Sequence, residues 1–237
     1  MRHNALKTGF LMLSIVGLAS LTGLSLSACS KDSQTNSTVL SEQKNTKTTA
    51  GSDAVVAQKT EQNNSHNMGM MNLGPADENY DLRFIDAMIP HHQGAIEMAK
   101  QVQQKSTRPE MKKLADDIIK AQEKEIKQMQ QWRKEWYPQA NSKPMMHDSH
   151  TGHTMPMSSD THHQMMMQMN LGEADNEFDL RFINAMIPHH EGAIIMGKDS
   201  LNKSKRPEIT KLAEEIISSQ KAEIEQMKKW RDSWYKQ

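Results

Sequence analysis

The chain has 237 residues, enough for one or two packed domains, and it combines only 5% aromatics with 20 methionines and 11 histidines. Its 29 basic and 29 acidic side chains balance, so it carries no electrostatic footprint for nucleic acid or an anionic membrane surface. The single cysteine excludes an intramolecular disulfide and leaves stability to packing.

At the N-terminus, Arg2 and Lys7 precede an uncharged, leucine-rich run over residues 9–28 that ends in Leu26-Ser27-Ala28-Cys29. A positive start, an apolar stretch and small residues at its end mark a signal peptide. Small residues followed at once by cysteine resemble a bacterial lipobox, which implies cleavage before Cys29 and lipidation of its sulfur. An uncleaved membrane anchor and a free thiol are the alternatives. Ser30 resembles the outer-membrane sorting pattern. The expectation is an exported lipoprotein with signal peptide 1–28, held by its lipid on the periplasmic face of the outer membrane if the cell has two membranes. Residues 29–65 are rich in Ser, Thr, Asn, Gln and Lys and read as a disordered tether, because they lack the apolar surface to fold.

From there to the C-terminus, over 66–237, the chain repeats. Shifted by 98 residues, Tyr80–Tyr137 falls on Phe178–Tyr235 without a gap, and 35 of the 58 pairs are identical. One unit has been duplicated, with repeat one over about 77–138, a linker over about 139–170 and repeat two over about 175–237. Within a unit, Phe84, Met88, His91, Ala95 and Met98 recur at helical steps, and Pro90 should kink that helix or reset its start. Arg108-Pro109-Glu110 reads as a loop into a second helix with proline at an early position. Met111, Leu114, Ile118, Met129, Trp132 and Trp136 form its apolar stripe. Neither hairpin can cover its own stripe, so the predicted fold is all-α. It is a ferritin-like four-helix bundle of two duplicated hairpins joined by a long Met/His-rich crossover. Two separate hairpins, each pairing with another molecule, are the alternative.

The crossover carries the strongest chemical signal. Between Met145 and Met169 lie Met145, Met146, His147, His150, His153, Met155, Met157, His162, His163, Met165, Met166, Met167 and Met169; His66, Met68, Met70 and Met71 precede the first repeat. Thioethers are soft donors suited to Cu(I), and imidazole serves Cu(II) and Cu(I) alike, so a flexible tract of both can follow copper through two oxidation states. Methionine also survives an oxidising compartment as a ligand where paired thiols are lost to disulfides. Core filling and oxidation buffering are the other uses of such methionines.

Inside the helices, His91 and His92 point about 100° apart, so they do not form a simple chelating pair. Met88, His91 and Met98 share one face and could supply one nitrogen and two sulfurs, as could Met186, His189 and Met196. As ordinary core residues the methionines would need no metal. Glu125 and Asp81 fall on inward faces, where a carboxylate is costly unless it is paired. Two readings stay open for these residues. Asp81 and Glu125, with Asp179 and Glu223 in repeat two, hold the second N–H of a ligating histidine, or they form buried salt bridges with Arg83 or Arg133.

Asp81-x-x-Phe84 followed by Met88-x-x-His91-His92-x-x-Ala95-x-x-Met98 resembles the signature of the domain-of-unknown-function 305 family, and it occurs twice. That family has a ferritin-like helical bundle and includes CopM-like periplasmic copper-binding proteins. The resemblance implies copper handling through Asp81, Met88, His91, His92 and Met98, and through Asp179, Met186, His189, His190 and Met196. Asp86, Gln93 and Ala99 become Asn184, Glu191 and Gly197, so the two halves are not equivalent.

The expected function is a non-enzymatic protein that sequesters or hands on Cu(I) or Cu(II), with silver also accepted, in exchange with copper efflux or periplasmic copper proteins. A di-iron enzyme on the same bundle would need Glu-x-x-His, which is nowhere in the chain. A redox-active metalloenzyme and a structural envelope lipoprotein with oxidation-buffering methionines are the competing readings.

Overall fold

Helix formation follows the repeat. A computed structural model describes residues 71–236, all within one compact unit. The predicted signal peptide 1–28, lipidated Cys29, tether 29–65 and donors His66, Met68 and Met70 lie outside the described residues. Helix α1 spans Tyr80–Lys105 and α2 Pro109–Trp136, and their counterparts are α4 at Phe178–Lys203 and α5 at Pro207–Tyr235. Pro109 and Pro207 stand at the helix starts, where the missing N–H costs nothing. Pro90 and Pro188 lie inside α1 and α4, and each helix continues through its proline instead of restarting there. Among the described residues, no helix is long and apolar enough to cross a membrane.

The crossover departs from the expectation of a flexible tract. It forms an antiparallel hairpin of β1, Met145–His147, with β2, Thr154–Pro156, and then a short helix α3, Ser159–Met166. Ser158 caps α3 by accepting the Thr161 N–H at 3.0 Å. The hairpin is pinned from outside: Asp86 on α1 accepts the Met145 N–H at 2.8 Å and is itself held by Arg133 of α2. Arg83 of α1 donates to Thr154 on the other strand at 2.6 Å. This explains one asymmetry between the repeats. The position matching Asp86 is Asn184, which receives a 3.3 Å contact from Arg231.

Within each hairpin the helices pack along their length, and the two hairpins meet through α1 and α4. One apolar cluster joins Met98, Ile118, Phe182 and Met186, and another joins Phe84, Met88, Met129 and Met196, so both draw on both repeats. The polar contacts across this junction are reciprocal. Arg206 pairs with Asp81 at 3.4 Å and lies over Trp136, while Arg108 pairs with Asp179 at 3.2 Å and lies over Trp234. Lys203 donates to the Gly74 carbonyl at 2.8 Å, and Lys105 to the Gly172 carbonyl at 2.6 Å.

Gly94 lets α3 dock. A β-carbon at Gly94 would fall on the main-chain carbonyl of Met166. In an open helix, alanine would be favoured over glycine by roughly 0.5–1 kcal/mol. Here Gly94→Ala is expected to destabilise by about 1–3 kcal/mol, read as a lower urea midpoint. A midpoint raised by alanine would show that α3 does not rest on α1.

Candidate metal centre

Because α1 and α4 cross antiparallel, their His-His steps meet at the centre of the junction. The His91 and His189 ring centres are 3.9 Å apart, flanked by His92 at 6.5 Å from His91 and His190 at 6.3 Å from His189. All four side chains are buried. Small residues make the approach possible. The place of a β-carbon on Gly192 is taken by Met71 Sδ, 2.9 Å away, and His91 Nε2, 3.1 Å away. A thioether and an imidazole nitrogen therefore converge on one spot of α4.

The outer faces of two rings are satisfied. His92 Nε2 and Glu125 Oε2 are 2.7 Å apart, and His190 Nε2 and Glu223 Oε2 2.6 Å apart. With Nε2 donating to the carboxylate, the Nδ1 lone pair of each ring is free, and Nδ1 of His92 and of His190 is buried without a partner. His91 has no hydrogen bond at either nitrogen, and His189 has none at Nδ1 while its Nε2 lies 3.1 Å from the Met166 carbonyl. Burial, followed by the neighbouring imidazoles, pushes the His91 pKa well below the usual imidazole range, and the same causes lower His189 to about 3. At neutral pH these rings are neutral, as a metal ligand must be.

Adjacent histidines therefore come closer to sharing an ion than their 100° separation implied. Two imidazoles bound to one ion through nitrogens about 2 Å from it have ring centres roughly 6 Å apart, which is the spacing of each His-His pair. Among the described residues, no three His, Cys, Asp or Glu side chains converge on one ion position. An ion placed here would have two imidazoles, or imidazole with thioether, and such a neutral, soft set suits a monovalent ion.

Met88, Met98, Met186 and Met196 are fully buried. They do not gather as one ligand face per helix: Met88 shares a cluster with Met196, and Met98 shares the other with Met186. The carboxylates divide. Glu125 and Glu223 are half-buried and reach His92 and His190. Asp81 and Asp179 make no hydrogen bond to a histidine; their partners are Arg206 and Arg108 of the opposite hairpin, not Arg83 or Arg133. Arg83 is occupied by the Leu73 and Pro75 carbonyls and by Asp77, and Arg133 by Asp86.

In the linker, Met157 and Met165 are buried, and Met145, Met146, His147, His162, Met166 and Met167 are half-buried. His150, His153, Met155, His163 and Met169 are exposed. Sequence reasoning missed the position of Met71 beside His91. It opens Met71-Asn72-Leu73-Gly74, which returns 98 residues later as Met169-Asn170-Leu171-Gly172. Arg83 Nε and Arg181 Nε donate to the Leu73 and Leu171 carbonyls at 2.6 Å each, so both leaders are fixed alike.

The sequence model of a domain of unknown function, DUF305, matches residues 81–231. Among solved structures, CopM in its Cu(II)-bound form is 42% identical with a TM-score of 0.53, covering 65% of this chain and 97% of that one. Its Cu(I)-bound and silver-soaked forms match over the same shares at 40% and 39% identity, with TM-scores of 0.51 and 0.52. A DUF305 fragment from Deinococcus radiodurans is 28% identical with a TM-score of 0.50, over 65% of this chain and 95% of that one. Uncharacterized protein L153 of Acanthamoeba polyphaga mimivirus is 49% identical over 49 residues, which is 21% of this chain and 32% of that protein's length.

Proposed function

This chain belongs to the DUF305 family, and from that premise we propose that it is a non-enzymatic copper-binding protein that sequesters or hands on Cu(I) or Cu(II) and also accepts Ag(I). The observation that carries the reading is the set of buried imidazole nitrogens without partners at the α1–α4 junction, two of the rings held from outside by Glu125 and Glu223. A buried polar atom left unpaired costs about 1–3 kcal/mol, and ligation removes that cost. CopM, at 40% identity, has been solved with Cu(I), Cu(II) and silver.

The rest of the reading comes from the sequence. Export, lipidation at Cys29 and a place on the periplasmic face of the outer membrane put the protein where copper is met before it reaches the cytoplasm. Duplication of a hairpin into a ferritin-like four-helix bundle accounts for the paired His-His steps. The exposed linker donors, His150, His153, Met155, His163 and Met169, suit a labile surface exchange with copper efflux or periplasmic copper proteins.

A competition titration of the whole chain with Cu(I), Ag(I) and Zn(II) tests this. Neutral imidazole and thioether donors without a converging third N or O ligand are expected to favour the monovalent ions over Zn(II) by about 100-fold or more. Zn(II) bound as tightly as Cu(I) would overturn the copper reading.

A further inference from the structure

A second cluster of soft donors, sharing no side chain with the central histidines, lies under the linker hairpin. A cavity of about 30 Å³ is enclosed there between β1, α3, α1 and the segment leading into α1. Five of its ten lining residues are Met145, Met146, His147, Met157 and Met165, and no carboxylate lines it. Its volume is enough to admit a water molecule or one ion.

The walls are fixed. Asp86 holds Met145 and Arg83 holds Thr154, which pins both strands to α1. The His147 ring packs on Gly74, whose φ of +79° suits glycine, and Nδ1 of His147 lies 2.7 Å from where a β-carbon of Gly74 would stand. That Nδ1 is buried and has no hydrogen-bond partner.

We propose that this cavity is a separate site for one soft monovalent cation, held by His147 Nδ1 and by thioethers drawn from Met145, Met146, Met157 and Met165. The donor chemistry sets the class of ion. Thioethers and imidazole are neutral and soft, which favours Cu(I) or Ag(I) over hard or carboxylate-seeking ions. Arg83 borders the cavity, and its positive charge, partly answered by Asp77 at 2.8 Å, opposes a divalent ion more than a monovalent one. A single water is the competing occupant, with Asn72, Arg83, His147 and Thr161 as its polar neighbours, and the loss of a silver equivalent tells the two apart.

Around Gly172, the counterpart of Gly74, the position of a β-carbon meets Arg181, at 3.7 Å or more, in place of a histidine ring. The central histidines come as a symmetric pair, so this cavity adds one equivalent to whatever they hold.

The inference rests on the reading of the protein as a carrier of soft metal, and the test separates the two. The whole chain, labelled with 13C at the methionine methyls, is titrated with Ag(I) and followed by NMR, with bound silver counted by native mass spectrometry. Wild-type protein is expected to show saturable shifts of the Met157 and Met165 methyls. Met157→Leu with Met165→Leu, a volume-conserving change, is expected to lose one silver equivalent, and so is His147→Ala. Methyls of Met157 and Met165 that stay in place while silver binds elsewhere overturn the inference and leave the central site standing. An unchanged silver count in both variants overturns it as well. No silver bound anywhere overturns both readings. Should either variant fail to fold, the wild-type methyl shifts decide.

Discussion

Replacing His91 and His189 together by leucine is expected to raise the melting temperature of the metal-free protein while abolishing its stabilisation by Cu(I). The two rings meet at a tilt, 3.9 Å apart at the junction of α1 and α4, and leave three nitrogens buried without partners. Each such atom costs about 1–3 kcal/mol, and replacing buried polar groups by apolar ones of similar volume is often neutral or stabilising. A net gain of about 1–3 kcal/mol for the apo variant corresponds to roughly 2–4 °C per kcal/mol in a body of this size. The metal-bound comparison runs the other way. At free Cu(I) about 1,000 times Kd, ligation adds about 4 kcal/mol to the folded state, and that term vanishes with its ligands. Structural histidines would give the reverse pattern, a lower apo melting temperature and an unchanged copper shift. Glu125→Gln with Glu223→Gln is the milder companion. The amide oxygen still accepts from His92 Nε2, so the fold holds, while weaker polarisation of the imidazole lowers copper affinity by about 10–100-fold.

The sequence made the helices legible because their signals are local. Pro109 and Pro207 mark helix starts, and the 98-residue shift pairs α1 with α4 and α2 with α5. The glutamates beneath His92 and His190 were within reach for the same reason, since both members of each pair belong to one hairpin. What escaped was whatever depends on a partner from elsewhere in the chain. Asp81 is answered by Arg206 of the other repeat, and no helical wheel of one repeat contains that pair. The linker reads as a flexible tract because its order is imposed from outside by Asp86, Arg133 and Arg83. Two signals were present and unused. Gly94 and Gly192 sit mid-helix at matching positions, where glycine is costly unless something approaches closely. The Met-Asn-Leu-Gly leader repeats at the same 98-residue shift, just ahead of the first helix of each unit. Together these would have placed Met71 and α3 against the histidine centre.

Metal-free protein is expected to lose stability steadily as pH falls from about 6.5, with His91 and His189 responsible for most of the slope down to pH 5. Burial and the neighbouring imidazoles hold His189 at about 3 and His91 well below its ordinary value, so the folded protein refuses protons that the unfolded chain accepts near 6.5. With folded pKa values depressed, the stability these groups contribute is present above the unfolded pKa and lost as pH falls towards the folded one. Each histidine then removes about 1.4 kcal/mol per pH unit below roughly 6. Two of them remove about 4 kcal/mol by pH 5, a large share of a typical domain's 5–15 kcal/mol. Urea unfolding of apo protein between pH 7.5 and 4.5 measures that slope, and His91→Leu with His189→Leu should flatten it by two protons. Equal slopes in wild type and variant would mean the acid sensitivity arises elsewhere. Copper binding by the folded protein should behave differently from its stability. His91 and His189, held neutral by burial, need not release a proton to ligate in a range where free imidazole, with its pKa near 6.5, is progressively blocked. Saturating Cu(I) should therefore add as much stability at pH 5 as at pH 7, and the acid-weakened protein becomes the one most dependent on its metal.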